Sequence, residues 1–350
     1  MTPTRAYAAL AQGSTVEPFT IERRDLRADD VAMDILYCGV CHSDLHQIRN
    51  DWGNTIYPVV PGHEIVGRVT ATGPAVTKYK PGDLVAVGCL VDSCRVCEPC
   101  EEGLEQFCEK QATMTYNGHD RHDRSVTFGG YASHLVTSER FVLRVPEGLD
   151  PERAAPLLCA GITTWSPLRH WKVGAGAKVA VVGLGGLGHM GVKLAVGLGA
   201  EVTVITTSPG KQEDALKLGA QDVLISSDND AMAAASGRFD FILDTVPVPH
   251  DLAPYLMLAR RDGAVVVVGM VDMVPSFHSG ILLAGRRVLS ASIIGGIPET
   301  QELLDFCAEK NILPECETIA MADVNKAFER MNRSDVKYRF VIDMSTFEQG

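Results

Sequence analysis

Lys178-Val-Ala-Val-Val-Gly183-Leu-Gly-Gly-Leu-Gly188 decides the fold of this 350-residue chain. An apolar run leads into glycines spaced G-x-G-x-x-G, and His189 to Leu198 then follows a helical pattern. Such glycines permit a tight strand-to-helix turn and let backbone amides approach a pyrophosphate at the positive end of the helix dipole. The backbone of Gly183, Leu184, Gly185, Gly186, Leu187 and Gly188 is therefore a candidate dinucleotide cradle. Glu201-Val-Thr-Val-Ile205 reads as a second strand and Lys211 to Leu218 as a second helix. Phe239-Asp-Phe-Ile-Leu243 and Ala264-Val-Val-Val-Val268 continue the alternation, which predicts an α/β architecture with a doubly wound parallel sheet.

The end of the second strand distinguishes the two nicotinamide cofactors. An acidic residue there holds the ribose 2′-hydroxyl of NAD, but this chain has Thr206-Thr207-Ser208-Pro-Gly-Lys211 and no carboxylate before Glu213. Hydroxyls and a lysine donate to a 2′-phosphate, so NADP(H) is the expected cofactor, with NAD(H) the alternative.

Residues 1 to about 150 have a different texture, with short β-type runs such as Ile65-Val-Gly-Arg-Val69 and Leu84-Val-Ala-Val87 between Gly and Pro turn signals. This predicts an all-β, barrel-like unit with long loops. Within it, Cys94, Cys97, Cys100 and Cys108 follow C-x2-C-x2-C-x7-C, the spacing of a closed four-thiolate zinc site with a structural role. A redox pair or a nucleic-acid-binding zinc ribbon are the alternatives; Glu98, Glu101, Glu102, Glu105 and Glu109 around the thiols argue against the ribbon. A second set, Cys41, His63 and Cys159, supplies two thiols and an imidazole, which leaves a fourth position open on a catalytic zinc. Two zinc ions per chain are thus expected. Cys38, Cys89, Cys307 and Cys316 read as buried apolar filler.

Composition narrows the class further. The hydrophobic fraction of 46% suits a globular core, and 44 acidic against 32 basic residues with no basic patch excludes nucleic acid as a partner. No run of about 18 apolar residues occurs and the N-terminus lacks a signal-like apolar core, so no membrane association and a cytoplasmic location are expected. A tail from about Ser292, with a helix pattern over Glu299 to Lys310 and a strand over Tyr338 to Ile342, fits a return to the first domain.

These motifs in this order, with Cys41-His-Ser-Asp-Leu-His46, Pro61-Gly-His-Glu64, Cys159-Ala-Gly-Ile-Thr163 and Ser292-Ile-Ile-Gly295, resemble the zinc-containing medium-chain alcohol dehydrogenases and their cinnamyl alcohol dehydrogenase branch over nearly the full length. The resemblance implies a GroES-like β-barrel catalytic domain (1–152), a Rossmann NADP-binding domain (153–291) and a return segment (292–350). It also implies a homodimer joined through the strand near Arg287 to Ile293. The activity implied is hydride transfer between NADP(H) and a primary alcohol or aldehyde, aromatic or aliphatic. A polyol or secondary-alcohol dehydrogenase of the same fold, or an NAD-dependent alcohol dehydrogenase, is the rival.

Carried onto this sequence, the resemblance makes Ser43 and His46 a proton relay, Asp44 the partner of the far nitrogen of His63, and Glu64 a carboxylate able to approach the metal. His42 is assigned to the pyrophosphate. Thr163, Thr245, Gly269 and the Ser292, Ile293 and Ile294 backbone are assigned to the nicotinamide side. By position Trp52, Met114 and Ile293 form the substrate pocket, where a Met, an Ile and one ring suit an aryl or an alkyl group.

Overall fold

The computed structural model describes residues 1–269 and 273–347. The chain forms two compact units: Met1–Cys159 with Gly295–Gly350, and Ala160–Ile294. The changeovers fall later than residues 152 and 291. Pro151–Ala154 and the turn Ala155–Leu158 pack on the strands of the first unit, so the change in sequence texture at Pro151 marks the start of helix rather than the end of that unit.

The first unit is built on a seven-stranded sheet in the order Cys316–Ala320, Arg339–Asp343, Asp30–Val40, Ile65–Thr72, Leu84–Val87 and Leu143–Arg144, with His134–Ser138 also paired to Asp30–Val40. Asp30–Val40 is central and buried along most of its length, and breaks in register between Ala32 and Met33 and between Ile35 and Tyr37 bend it. Met33, Ile65, Tyr131, Phe340 and Ile342 lie in its core. The tail contributes two parallel strands with the helix Val324–Asn332 between them. Phe340 pairs with Val40, so the return segment is part of the sheet rather than an appendage.

Three strand ends meet as a result. Asp30–Val40 runs out into Cys41, Ile65–Thr72 begins directly after His63 and Glu64, and Arg339–Asp343 starts at Arg339. The register Cys38 to Ile65 and the bond from the Gly39 amide to the Glu64 carbonyl, 2.9 Å, lock the first two ends together.

The second unit is a six-stranded, wholly parallel sheet in the order Asp222–Ile225, Glu201–Thr206, Lys178–Val182, Phe239–Asp244, Ala259–Val267 and Val288–Ala291. Its topological switch lies at Lys178–Val182, which pairs on one side with the following strand and on the other with Phe239–Asp244. A ligand crevice is expected at the carboxyl end there, where Gly183 follows. The first helix runs Gly186–Gly197, starting inside the glycine loop rather than at His189. The second runs Gln212–Lys217 after a tight turn over Pro209–Lys211, which Pro209 opens. Ala160–His170 is also helical; it is buried almost all round and carries Pro167, so it shows no amphipathic period for the sequence to betray.

Candidate active site

The buried groups Cys41, His63, Glu64 and Cys159 converge, their potential ligand atoms all lying within 4.8 Å of one another. The Sγ atoms of Cys41 and Cys159 are 3.8 Å apart. Two sulfurs each about 2.3 Å from one tetrahedral ion stand about 3.8 Å apart, so the donor set fits zinc. The hydrogen bond between these two thiols draws Cys41 well below the usual thiol range and pushes Cys159 above it.

Asp44 organises this cluster. It is fully buried at the third position of the helix His42–Arg49, where Oδ2 accepts from the Cys41 amide at 2.9 Å and from the Tyr131 hydroxyl at 3.2 Å. Oδ1 accepts from the Gly62 amide at 3.1 Å and faces His63 Nδ1 at 3.1 Å. With Nδ1–H committed to a carboxylate, His63 keeps Nε2 for a metal. Burial works against the charged form of His63, but Asp44 outweighs it and raises the imidazole well above its usual range. Gly62 has φ +100°, and a Cβ there would lie 2.7 Å from the Tyr131 ring and 2.8 Å from Cys38 Sγ, so only glycine brings His63 to this place.

Glu64 is ion-paired to Arg339, both buried, while its Oε2 has no hydrogen-bond partner among the described residues. Burial pushes the Glu64 carboxyl up and Arg339 pulls it back. Arg339 escaped sequence reasoning, as did Cys89, a buried thiol that hydrogen-bonds Cys159. On the solvent side Ser43 is half-buried and His42 exposed. His46 Nδ1 bonds Asp51 Oδ2 at 2.8 Å, and its ring centroid lies 5.6 Å from that of Trp52. Asp51, which orients His46, also went unseen in the sequence. Trp52 and Met114 are exposed in the first unit and Ile293 in the second.

The other thiol set is equally compact. Cys97 and Cys100 are 3.4 Å apart, Cys94 and Cys100 3.9 Å, and Cys97 and Cys108 4.0 Å, again tetrahedral-site distances.

In the second unit Gly188 packs on the Gly183 carbonyl where no Cβ would fit, and Gly183 has φ +89°. The Thr245 hydroxyl donates to the Val182 carbonyl at 2.7 Å, and the Ser292 amide to the Val267 carbonyl at 3.1 Å. Lys211 Nζ donates to the Leu184 carbonyl at 3.1 Å and the Ser208 amide to the Thr206 hydroxyl at 3.2 Å, so the hydroxyl turn is tied to the glycine loop. Thr207 is exposed and Thr163 buried; Gly269 packs against the Val246 carbonyl. Ile294 follows at the changeover between units, with φ +36°.

Two family models match the chain: the alcohol dehydrogenase GroES-like domain over residues 27–147 and the zinc-binding dehydrogenase over 186–309. The chain is 53% identical to the aldehyde reductase YahK of Escherichia coli, covering 98% of both proteins. A solved cinnamyl alcohol dehydrogenase of Sorghum bicolor is 44% identical with a TM-score of 0.95, covering 98% of each chain. That of Helicobacter pylori, solved with NADP(H), is 40% identical with a TM-score of 0.92, covering 98% of this chain and 99% of that one. The chain therefore belongs to the zinc-containing medium-chain alcohol dehydrogenases, in the branch that includes the cinnamyl alcohol dehydrogenases.

Proposed function

We propose that this protein is an NADP(H)-dependent zinc alcohol dehydrogenase that reduces aldehydes, aromatic or aliphatic, to primary alcohols and runs the reverse reaction. The observation that carries the reading is the buried set Cys41, His63 and Cys159 with donor spacing suited to one zinc. Bound there, zinc supplies Lewis acidity to the substrate oxygen. Asp44 fixes the tautomer of His63, and Glu64, tied to Arg339, offers its second oxygen to the same cluster. Ser43 passes the substrate-oxygen proton and His46, oriented by Asp51, exchanges it with solvent. Cys94, Cys97, Cys100 and Cys108 hold a second, structural zinc. Thr163, Thr245, Gly269 and the Ser292, Ile293 and Ile294 backbone serve the nicotinamide side. The test is consumption of NADPH by zinc-loaded protein with cinnamaldehyde and short aliphatic aldehydes. Turnover confined to ketones or polyols would reject it.

Thr206, Thr207, Ser208 and Lys211 form the 2′-phosphate site. Lys211→Ala is expected to lower kcat/KM for NADPH about tenfold, the worth of one hydrogen bond to a charged group, while leaving NADH unchanged. Equal losses with both cofactors would reject the site. Trp52 and Met114, both exposed in the first unit, face the substrate. Trp52→Ala is expected to shift the cinnamaldehyde to short-aliphatic kcat/KM ratio down about tenfold, since a buried ring loses about 1–3 kcal/mol of apolar contact with the truncation. An unchanged ratio would remove Trp52 from the pocket.

The assembly is a homodimer through Val288–Ala291, an edge strand of the parallel sheet with Val288 exposed. Light scattering should give the mass of two chains. No described helix is long and apolar enough to cross a membrane, and no cysteine is in a disulfide. Thiol use of this kind supports a reducing, cytoplasmic location.

A further inference from the structure

At the carboxyl end of Phe239–Asp244 lies a titratable pair that neither thiol cluster nor the relay employs. Asp244 is fully buried; its Oδ1 accepts from the Val246 amide at 3.1 Å and its Oδ2 faces His250 Nε2 at 2.7 Å. The other ring nitrogen, Nδ1, faces the Val248 carbonyl at 2.8 Å. A carbonyl oxygen only accepts, as does an ionised carboxylate, and a neutral imidazole has a single N–H, so it cannot serve both. The arrangement requires one further proton, carried as an imidazolium against a carboxylate or as a carboxyl donating to Nε2. Burial raises the Asp244 carboxyl, with the Val246 amide and His250 opposing.

That proton closes the segment Thr245–His250, which rests on the glycine loop. The Thr245 amide and hydroxyl both donate to the Val182 carbonyl, at 3.0 and 2.7 Å. A Cβ on Gly183 would lie 2.9 Å from the Thr245 hydroxyl and one on Gly188 3.2 Å from it. Among the described residues the Tyr255 ring is edge-on to His250 at 5.7 Å; burial, then Asp244 and Asp251, raise its phenol, and Ser226 opposes them.

We propose that Asp244 and His250 form a proton-held tie that positions Thr245 against the glycine loop, so that the dinucleotide binds tightly while the pair keeps its proton and less tightly once it is lost. The inference rests on the glycine loop being the dinucleotide site. When the proton leaves, either the Nε2 lone pair faces a carboxylate oxygen across 2.7 Å or the Val248 bond is given up, and the segment loosens in both cases.

The test is the Kd for NADPH, followed by its fluorescence, between about pH 7.5 and about pH 9.5, where the 2′-phosphate is almost wholly ionised. In the unaltered protein Kd should climb about fivefold across that window, the lower end of common coupling between sites. His250→Gln, with no shared proton, should start at the weakened Kd and stay flat. Asp244→Asn is the discriminating variant: its amide donates to Nε2 of neutral His250 and still accepts from Val246, so it should bind tightly with no climb. Parallel pH profiles for all three proteins, or a climb retained in Asp244→Asn, would overturn the tie. Absent NADPH binding with intact NADH binding would reject only the 2′-phosphate site, and the same three profiles would then be read with NADH.

Discussion

Cys159→Ala should leave a folded protein holding about one zinc instead of about two, with kcat/KM for aldehyde reduction lowered roughly a thousandfold. The size follows from what the ion contributes: stabilising charge on the substrate oxygen is worth several kcal/mol, and each 1.36 kcal/mol is about a factor of ten in rate. With Cys159 gone, Cys41 and His63 remain as a two-point site whose third donor must come from Glu64 or Cys89. Glu64 is committed to Arg339 through one oxygen, and Cys89 hydrogen-bonds the thiol that was removed and is tied to the Leu158 carbonyl at 3.7 Å. Neither is a ready substitute. The fold survives because the other four thiols lie wholly within residues 94–108 and close their own site. Plasma mass spectrometry for zinc and steady-state kinetics on the same preparation decide the matter. Two zinc per chain with a rate within tenfold of normal would mean that Cys159 is not a ligand.

Much of this cluster was legible because its members are placed by local rules. Asp44 lies three residues past Cys41, so the spacing that caps the helix His42–Arg49 also carries the carboxylate back to the Cys41 amide. From there only Gly62 need turn sharply for His63 to reach it. The glycine loop was equally plain, since a buried strand and a following helix confirm it locally. Arg339 was not legible: 275 residues separate it from Glu64, and nothing in a sequence pattern says which strand of a returning tail will pair with Asp30–Val40. Asp51 was missed for a shorter-range reason. It reaches His46 because the helix stops at Arg49 and Asn50 turns left-handed at φ 56°, a detail of one cap rather than of any periodicity. Where the two units meet the chain, the sequence set the boundary by texture, whereas Pro151–Leu158 is helical yet packs with the β-rich unit.

Asp44→Asn should be the most damaging isosteric change in the first unit, lowering stability by about 3 kcal/mol and zinc affinity at the Cys41 cluster by roughly 10- to 100-fold. The carboxylate takes up four inward-pointing donors: the Cys41 and Gly62 amides, the Tyr131 hydroxyl and His63 Nδ1. An amide keeps one oxygen and sets an NH2 group against one backbone amide, left buried and unpaired at about 1–3 kcal/mol, and against His63 or Tyr131, either of which must turn round to accept from it. If the nitrogen faces His63, the imidazole is driven to the other tautomer and Nε2 carries the proton, which removes the lone pair a metal needs. If it faces the Cys41 amide, the cap of His42–Arg49 is lost and the strand end bearing Cys41 loosens. Either orientation harms the metal site and the fold together, so the two effects should appear in one variant. Thermal unfolding of the metal-free protein should show the melting temperature down by roughly 6–12 °C for a unit of this size. Competitive chelation should show one zinc released at a lower chelator concentration and the other unmoved. A variant with normal melting and one class of weakened zinc would mean that Asp44 acts on His63 alone; loss of melting temperature with both zinc ions unchanged would mean that it merely caps the helix.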